Sequence, residues 1–134
     1  MRMPEQPWSY GLFIPHDPRA VGVVRATVRS VLRAGGLNSL TYKAELLASE
    51  LVTNAYRNAH ADAFVSMDWQ PGDFRLTVWD TGARLPVPRA AAVGDECGRG
   101  RGLAIVEAGS DDWGVERYDG GKAVWFSLKP PHGG

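Results

Sequence analysis

Two amphipathic helices are predicted in the first half of the chain. Hydrophobic residues recur at helical spacing from Asp17-Pro18, a typical helix start, to Gly35-Gly36, where the pattern stops. A second helix is predicted to open at Asn38 or Ser39 and to run to about Ala59. The hydrophobic stripes expected to be buried are Val21, Val24, Val28, Val31 and Leu32 in the first helix, and Leu40, Ala44, Leu47, Leu51 and Ala55 in the second.

Alternation of hydrophobic and polar residues predicts strands in the remaining segments. The turn Pro71-Gly72-Asp73 joins two of them as a β-hairpin, and Asp119-Gly120-Gly121-Lys122 is a second turn signal. A short helix is predicted over 103–108. The predicted strands are 8–14, 63–70, 74–79, 113–118 and 123–128, and the first is expected at a sheet edge. The tryptophans at 69, 79, 113 and 125 all fall in strands and are expected in the core.

This order of elements predicts an α+β fold, a two-layer sandwich with the helices packed on one face of a mixed, largely antiparallel sheet. The chain of 134 residues is long enough to bury a core without disulfides or a structural metal. We therefore expect one domain over 8–130, flanked by tails at 1–7 and 131–134.

Composition excludes several classes of function. Fifteen basic and fifteen acidic side chains give a formal net charge of zero, so no overall field attracts nucleic acid or an anionic membrane. Cys97 is the only cysteine, which excludes an internal disulfide and is typical of a reducing cytoplasm. No stretch approaches the roughly 18 apolar residues of a membrane span. A cytoplasmic protein is expected. Cys97 itself is interpreted as an incidental thiol, with a redox role as the alternative.

Glu50 and Asn54 are the first candidate site. They are four residues apart in the second helix, so both side chains project from one face, at the margin of the buried stripe. A carboxamide oxygen suits Mg²⁺ when phosphate and water complete the coordination shell, and a carboxylate beside it can act as a general base. The alternative is an ordinary solvated helix edge.

Two later segments could hold a nucleotide beside that pair. Asp80, at the end of a strand before Thr81-Gly82, can accept the exocyclic amino hydrogens of adenine. The segment Gly98-Arg99-Gly100-Arg101-Gly102 precedes an apolar helix, so its amides would face an anion such as phosphate. The alternatives are a strand-end turn and a flexible glycine and arginine loop. The long Gly, Pro and Ala stretch between them, with 83–97 at its centre, is typical of either a lid or disorder.

Taken together, these segments resemble the GHKL superfamily of ATP-binding domains, and within it the anti-sigma-factor serine kinases. Residues 50–55 are similar to the N box, Asp80-x-Gly82 to the G1 box, and 98–103 to the G2 box. Residues 121–128 resemble the last strand of the family. The likeness extends from Trp8 to Leu128.

The resemblance implies that Glu50 is a general base, that Asn54 binds Mg²⁺ and that Asp80 recognises adenine. It also implies ATP and Mg²⁺ as cofactors, and transfer of a phosphoryl group to a serine of an anti-anti-sigma partner of the STAS type. A sigma factor is a further implied partner, and a homodimer is compatible with the likeness. The residues implied to bind the nucleotide are Asn54, Arg57, Asp80, Gly82, Gly98, Arg99, Gly100, Arg101, Gly102 and Leu103.

Three departures from the family pattern leave other functions open. Asn58 stands where many relatives have histidine, Arg84 replaces a glycine of the G1 box, and Ala123 stands where a hydroxyl residue is common. The alternative hypothesis is a nucleotide-gated protein that sequesters a sigma factor or another regulator without catalysis. A third is an ATPase without a protein substrate.

Overall fold

A computed structural model describes residues 6–59, 62–80, 101–118 and 121–131. The elements lie close to their predicted positions. In chain order they are β1 (Trp8–Ile14), α1 (Ala20–Ala34), a 3₁₀ turn (Asn38–Leu40), α2 (Thr41–Ala59), β2 (Ala63–Gln70), β3 (Asp73–Asp80), α3 (Arg101–Gly109), β4 (Asp112–Tyr118) and β5 (Gly121–Leu128).

The five strands form one sheet in the order β1-β2-β3-β5-β4. Each of the four pairings among these strands is antiparallel. β1 is at an edge, as predicted, and Gly72 supplies the positive φ, 88°, of the β2–β3 turn. The α+β prediction is therefore confirmed, with an antiparallel sheet.

The core lies between the sheet and the helices. Both predicted helical stripes face it, and the large side chains Trp69, Phe74 and Phe126 fill it from the sheet. The expectation for two tryptophans was wrong: Trp79 and Trp125 alternate with buried residues of their strands and lie half-buried on the outer face. None of the helices in the described ranges is both long and apolar enough to span a bilayer.

Helix α1 begins later than predicted. The Asp17 carboxylate accepts the Arg19 backbone N–H at 2.8 Å and also binds the Arg19 guanidinium. The Asp17 carbonyl accepts the Ala20 N–H, so residues 17–20 form a turn and the helix starts at Ala20. The hydrogen bonds from the Arg19 side chain, and then from its backbone, lower the Asp17 pKa to about 2.

The two glycines end α1 as predicted. Gly36 has a φ of 75°, and its N–H donates to the Arg33 carbonyl. The next amide, Leu37 N–H, reaches back to the Leu32 carbonyl at 2.8 Å, which completes a Schellman motif. The buried Leu37 side chain joins the core and fixes the angle at which the chain enters α2.

Candidate nucleotide site

Asp80 is the last residue of β3 and points towards the helices. Side chains alternate along a strand, and Phe74, Leu76 and Val78 on the same face as Asp80 are all in the core. The Asp80 residue is 5% exposed. A carboxylate is thus held at the end of a central strand, beneath the helical layer, where the sequence predicted an adenine contact.

The backbone around Asp80 is fixed by the neighbouring strand β5 and by Tyr118. The Tyr118 hydroxyl donates to the Asp80 carbonyl at 3.1 Å. Burial, and then the Asp80 charge, raise the pKa of Tyr118, so the hydroxyl keeps its proton for this bond. Gly121 passes so close that an added Cβ would lie 1.8 Å from the Asp80 carbonyl oxygen, which only glycine permits.

Lys122 lies directly opposite Asp80 in the β3–β5 register and is 9% exposed. Directly paired residues project from the same face, so the ammonium and the carboxylate both face the helices. Sequence reasoning did not single out Lys122, because cross-strand register is set by tertiary packing. The only available signal was a lysine at the start of the strand that follows the second turn.

The register also shows on which face of the sheet Ala123 lies. It pairs with Trp79, so its side chain lies on the outer face of the sheet, away from the side to which Asp80 points. An alanine there cannot remove a contact beside the Asp80 carboxylate. The departure at Ala123 therefore gives no reason to doubt an adenine site.

Glu50 and Asn54 are both half-buried on α2, as their angle to the buried stripe predicts. The Asn58 amide group donates a hydrogen bond to the Asn54 side-chain oxygen from one turn later. That oxygen is the one a hard cation would use. Arg57 is exposed on the last part of the same helix.

The C-terminal half of α2 lies at the Asp80 end of the sheet. One cleft is lined by Val52, Ala55 and Tyr56 from α2 together with Ile14 and Ala63 from the sheet. In the sheet register, Ile14 pairs with Ala63, which in turn pairs with Asp80. The helix segment that carries Asn54 and the strand end that carries Asp80 are therefore on the same side of the molecule.

His16 closes this cleft from the loop after β1. Its ring stacks on Tyr56, with 4.2 Å between centroids, and its Nε2 is 2.9 Å from the Tyr56 carbonyl oxygen. The His16 backbone N–H donates to the Asp62 carboxylate. These contacts tie the end of α2 to the loop before α1.

Helix α3 completes the helical layer beside α2. Its last residue, Gly109, packs on Leu47, and the strand that follows it starts at Asp112, opposite Ser127, at the end of the sheet far from Asp80. This connectivity directs the first turn of α3 towards the Asp80 end. Leu103, in that part of α3, is buried in the core.

Several predicted site residues lie at the edge of the described ranges or outside them. Arg101 and Gly102 form the start of α3. The remaining nucleotide-site predictions, Gly82, Gly98, Arg99 and Gly100, lie outside the described residues, as do Arg84, Cys97 and the whole proposed lid at 83–97.

The described residues fit a magnesium nucleotide in their chemistry. Asp80 is a buried acceptor, of the kind that an adenine amino group would need. The half-buried Glu50 and Asn54 supply hard oxygen atoms on the same side of the fold. α3 starts at Arg101, and the start of a helix presents backbone N–H groups and the positive end of its dipole, which suit phosphate.

Comparison with solved structures supports the same architecture. The chain is similar to the crystal structure of the RsbU and RsbW domains of Rv1364c from Mycobacterium tuberculosis, with a TM-score of 0.69 and 19% sequence identity. The alignment covers 92% of this chain and 32% of that one, so this chain spans about a third of its solved relative. No curated protein matches the chain significantly.

A family model of ATP-binding domains matches most of the sequence. The model is that of the histidine kinase-like ATPase domain, and the match extends over residues 14–128. This range includes α2, the end of β3 and α3, which carry the candidate site. The chain therefore belongs to the histidine kinase-like ATPase domain family.

Proposed function

We propose that this protein is an ATP-dependent serine/threonine kinase of the anti-sigma-factor type, and that it phosphorylates an anti-anti-sigma partner with a STAS-type fold. The observation that carries the proposal is the shared position of Glu50, Asn54 and Asp80. A half-buried carboxylate, a half-buried carboxamide and a buried carboxylate lie on the side of the molecule where α2 meets the end of β3.

Each residue has a separate task in the proposed reaction. Asp80 accepts a hydrogen bond from the adenine amino group, and guanine, which has a carbonyl at that position, is rejected. Asn54 would hold Mg²⁺ together with phosphate and water oxygens, and the ion would neutralise charge on the phosphates. Arg57, with the glycines and arginines of 98–102, would hold the phosphate groups.

Glu50 acts on the partner protein. It accepts the hydroxyl proton of the partner's serine as the bond between serine Oγ and the γ-phosphorus forms. The bond from the γ-phosphorus to the bridging oxygen breaks at the same time, and ADP leaves. Phosphoryl transfer depends mainly on positioning and on charge neutralisation, which this set of groups can provide.

The hydrogen bond from Asn58 to Asn54 favours one second candidate, a nucleotide-gated protein that binds a sigma factor or another regulator without catalysis. The bond uses one of the two lone pairs of the oxygen that the metal would need, and a domain that holds its metal weakly would transfer phosphate slowly. Nucleotide binding could then still control partner binding.

A transfer assay separates the two candidates. Purified protein is incubated with Mg·[γ-³²P]ATP and with each STAS-type anti-anti-sigma protein encoded in the same genome. The kinase proposal predicts label on a serine or threonine of one of them, and at least a hundredfold less label with Glu50→Gln. Partner binding that depends on nucleotide, with no label transferred and no change in Glu50→Gln, would support the second candidate.

A further inference from the structure

One ridge of α2 leads from two exposed hydrophobic side chains to Glu50. Tyr42, Leu46 and Glu50 are spaced four residues apart, so they lie one above another on the helix surface. At a rise of 1.5 Å per residue, Leu46 is about 6 Å and Tyr42 about 12 Å from Glu50 along the helix axis.

The side chains of Tyr42 and Leu46 are not part of the core. Tyr42 is 83% exposed and Leu46 is 41% exposed, whereas the buried stripe of the same helix faces the core. Tyrosine and leucine that remain in water beside a reactive group are typical of a surface that buries them on binding. Tyrosine in particular is enriched among residues that carry most of a binding energy.

A basic border runs along the ridge. Helix α1 contains three basic residues at every fourth position, Arg25, Arg29 and Arg33, and no acidic residue. Two of them reach Glu45 on α2, from Arg29 at 2.9 Å and from Arg25 at 3.6 Å. Because Glu45 is three residues after Tyr42, the two side chains are neighbours on the helix surface, and Arg25 and Arg29 lie beside the Tyr42 end of the ridge.

The border remains positive after this pairing. The bidentate bond to Arg29 satisfies Glu45, and it lowers the Glu45 pKa, so the carboxylate stays ionised. Against the one negative charge of Glu45 stand the positive charges of the three arginines of α1. A local positive surface on a chain of zero formal net charge favours an acidic partner.

We propose that Tyr42 and Leu46, bordered by Arg25, Arg29 and Arg33, form the docking surface for the protein substrate. The matching surface on the partner carries exposed hydrophobic side chains with carboxylates around them. Docking one to two helical turns from Glu50 places the serine of the partner at the general base. This inference rests on the proposed function, because it names where the substrate of that same site binds.

The test uses variants that leave the core untouched. Tyr42→Ala/Leu46→Ala removes the hydrophobic ridge, and Arg33→Glu reverses one charge of the border. Val23→Ala is the matched control, because Val23 is 51% exposed on α1 and is separate from the ridge. Thermal unfolding and titration with Mg·ATP first establish that each variant folds and binds nucleotide like the wild type.

Binding is then measured by calorimetry with the purified STAS-type anti-anti-sigma proteins of the same genome in the presence of Mg·AMP-PNP, and transfer is measured with Mg·ATP. The expected result is at least tenfold weaker binding in Tyr42→Ala/Leu46→Ala and in Arg33→Glu, with no change in Val23→Ala. The KM for the partner should rise by the same factor, while the KM for ATP stays constant.

The outcomes for the two proposals are distinguishable. Phosphoryl transfer with an unchanged partner KM in the ridge variants overturns the docking surface and leaves the kinase intact. Ridge-dependent binding without transfer supports the surface and overturns the kinase. The docking proposal is wrong if no protein of the panel binds the wild type. It is also wrong if the only effect of the ridge variants is to convert a dimer of this chain to monomers, as measured by light scattering.

Discussion

Lys122 lies directly across the β3–β5 pair from Asp80, and both side chains are buried on the helix-facing side of the sheet. Residues paired in this way have Cβ atoms about 5 Å apart, so each charge lies in the field of the other. The proposed adenine site is therefore built on a cross-strand pair of opposite charges. Any change at Asp80 also changes the environment of a buried ammonium group.

The first prediction concerns the contribution of Asp80 and Lys122 to stability. Asp80→Asn should lower the free energy of unfolding by about 1–3 kcal/mol, because Lys122 is then buried without the facing carboxylate. Lys122→Met in the Asp80→Asn background should restore part of the loss, since the buried ammonium group is then removed. Urea unfolding of the two single variants and the double variant measures the coupling. Additive effects would show that the two side chains do not interact.

The second prediction concerns the close passage of Gly121 by Asp80. Gly121→Ala should destabilise the protein by about 1–3 kcal/mol and weaken nucleotide binding, because the new Cβ must displace the Asp80 backbone. Gly22→Ala is the matched control: Gly22 is within α1 with open space around it, and alanine there should stabilise by about 0.5–1 kcal/mol. Thermal unfolding and ATP titration measure both effects. A Gly121→Ala protein that binds ATP normally would contradict the geometry.

The third prediction concerns the ion pair between α1 and α2. Bonding to Arg29 lowers the Glu45 pKa below its ordinary value of 4.5, so the carboxylate contributes stability above that pH and loses it as the pH falls. Arg29→Met should therefore lower the free energy of unfolding at pH 7 and lower it less at pH 3. Urea unfolding at both pH values measures the difference. Arg33→Met, one turn further along α1, controls for the loss of positive charge, and an equal cost for Arg29→Met at both pH values would contradict the assignment.

The fourth prediction concerns the hydrogen bond from Asn58 to Asn54. If Asn58 competes with Mg²⁺ for the Asn54 oxygen, Asn58→Ala should lower the Mg²⁺ concentration needed for ATP binding about fivefold, equivalent to about 1 kcal/mol. Titration of Mg²⁺ at a fixed ATP concentration measures this, with Asn54→Ala as the variant that should lose the metal dependence. A higher Mg²⁺ requirement in Asn58→Ala would mean that the hydrogen bond orients the carboxamide for the metal.

Local pattern predicted most of the fold. The spacing of Val24, Val28 and Leu32 placed the buried face of α1, and Gly35-Gly36 placed its end, because both depend on helix geometry alone. The half-buried position of Glu50 followed from its angle to the stripe of α2 in the same way. Periodicity within one element is information that a single sequence contains.

The predictions that failed depend on contacts between elements or on competing local bonds. Trp79 and Trp125 were expected in the core, but they lie on the outer face of the sheet. Trp79 packs near Tyr118 there. The Arg75 guanidinium lies 3.8 Å from the centre of the Trp125 ring. Helix α1 starts later than predicted because residues 17–20 form a turn in which Asp17 binds Arg19. Neither the outward face of a strand nor the competition for one carboxylate follows from hydrophobic spacing.

The most important part of the site that the sequence did not indicate is the pairing of Lys122 with Asp80. More than forty positions separate the two residues in the chain, and their juxtaposition depends on the register of β3 with β5. The proposed roles of Glu50, Asn54 and Asp80 remain predictions, although α2 and β3 bring these residues to one side of the fold.

Recognition of adenine by Asp80 is the central claim, and calorimetric titration with Mg·ATP and Mg·GTP tests it most directly. The wild type should bind ATP and not GTP, and Asp80→Asn should lose ATP binding. The double variant Asp80→Asn/Lys122→Met, which is expected to regain stability, should still fail to bind, which would assign the loss to the missing carboxylate and not to lower stability. Failure of folded wild type to bind ATP, or equal binding of ATP and GTP, would contradict the account.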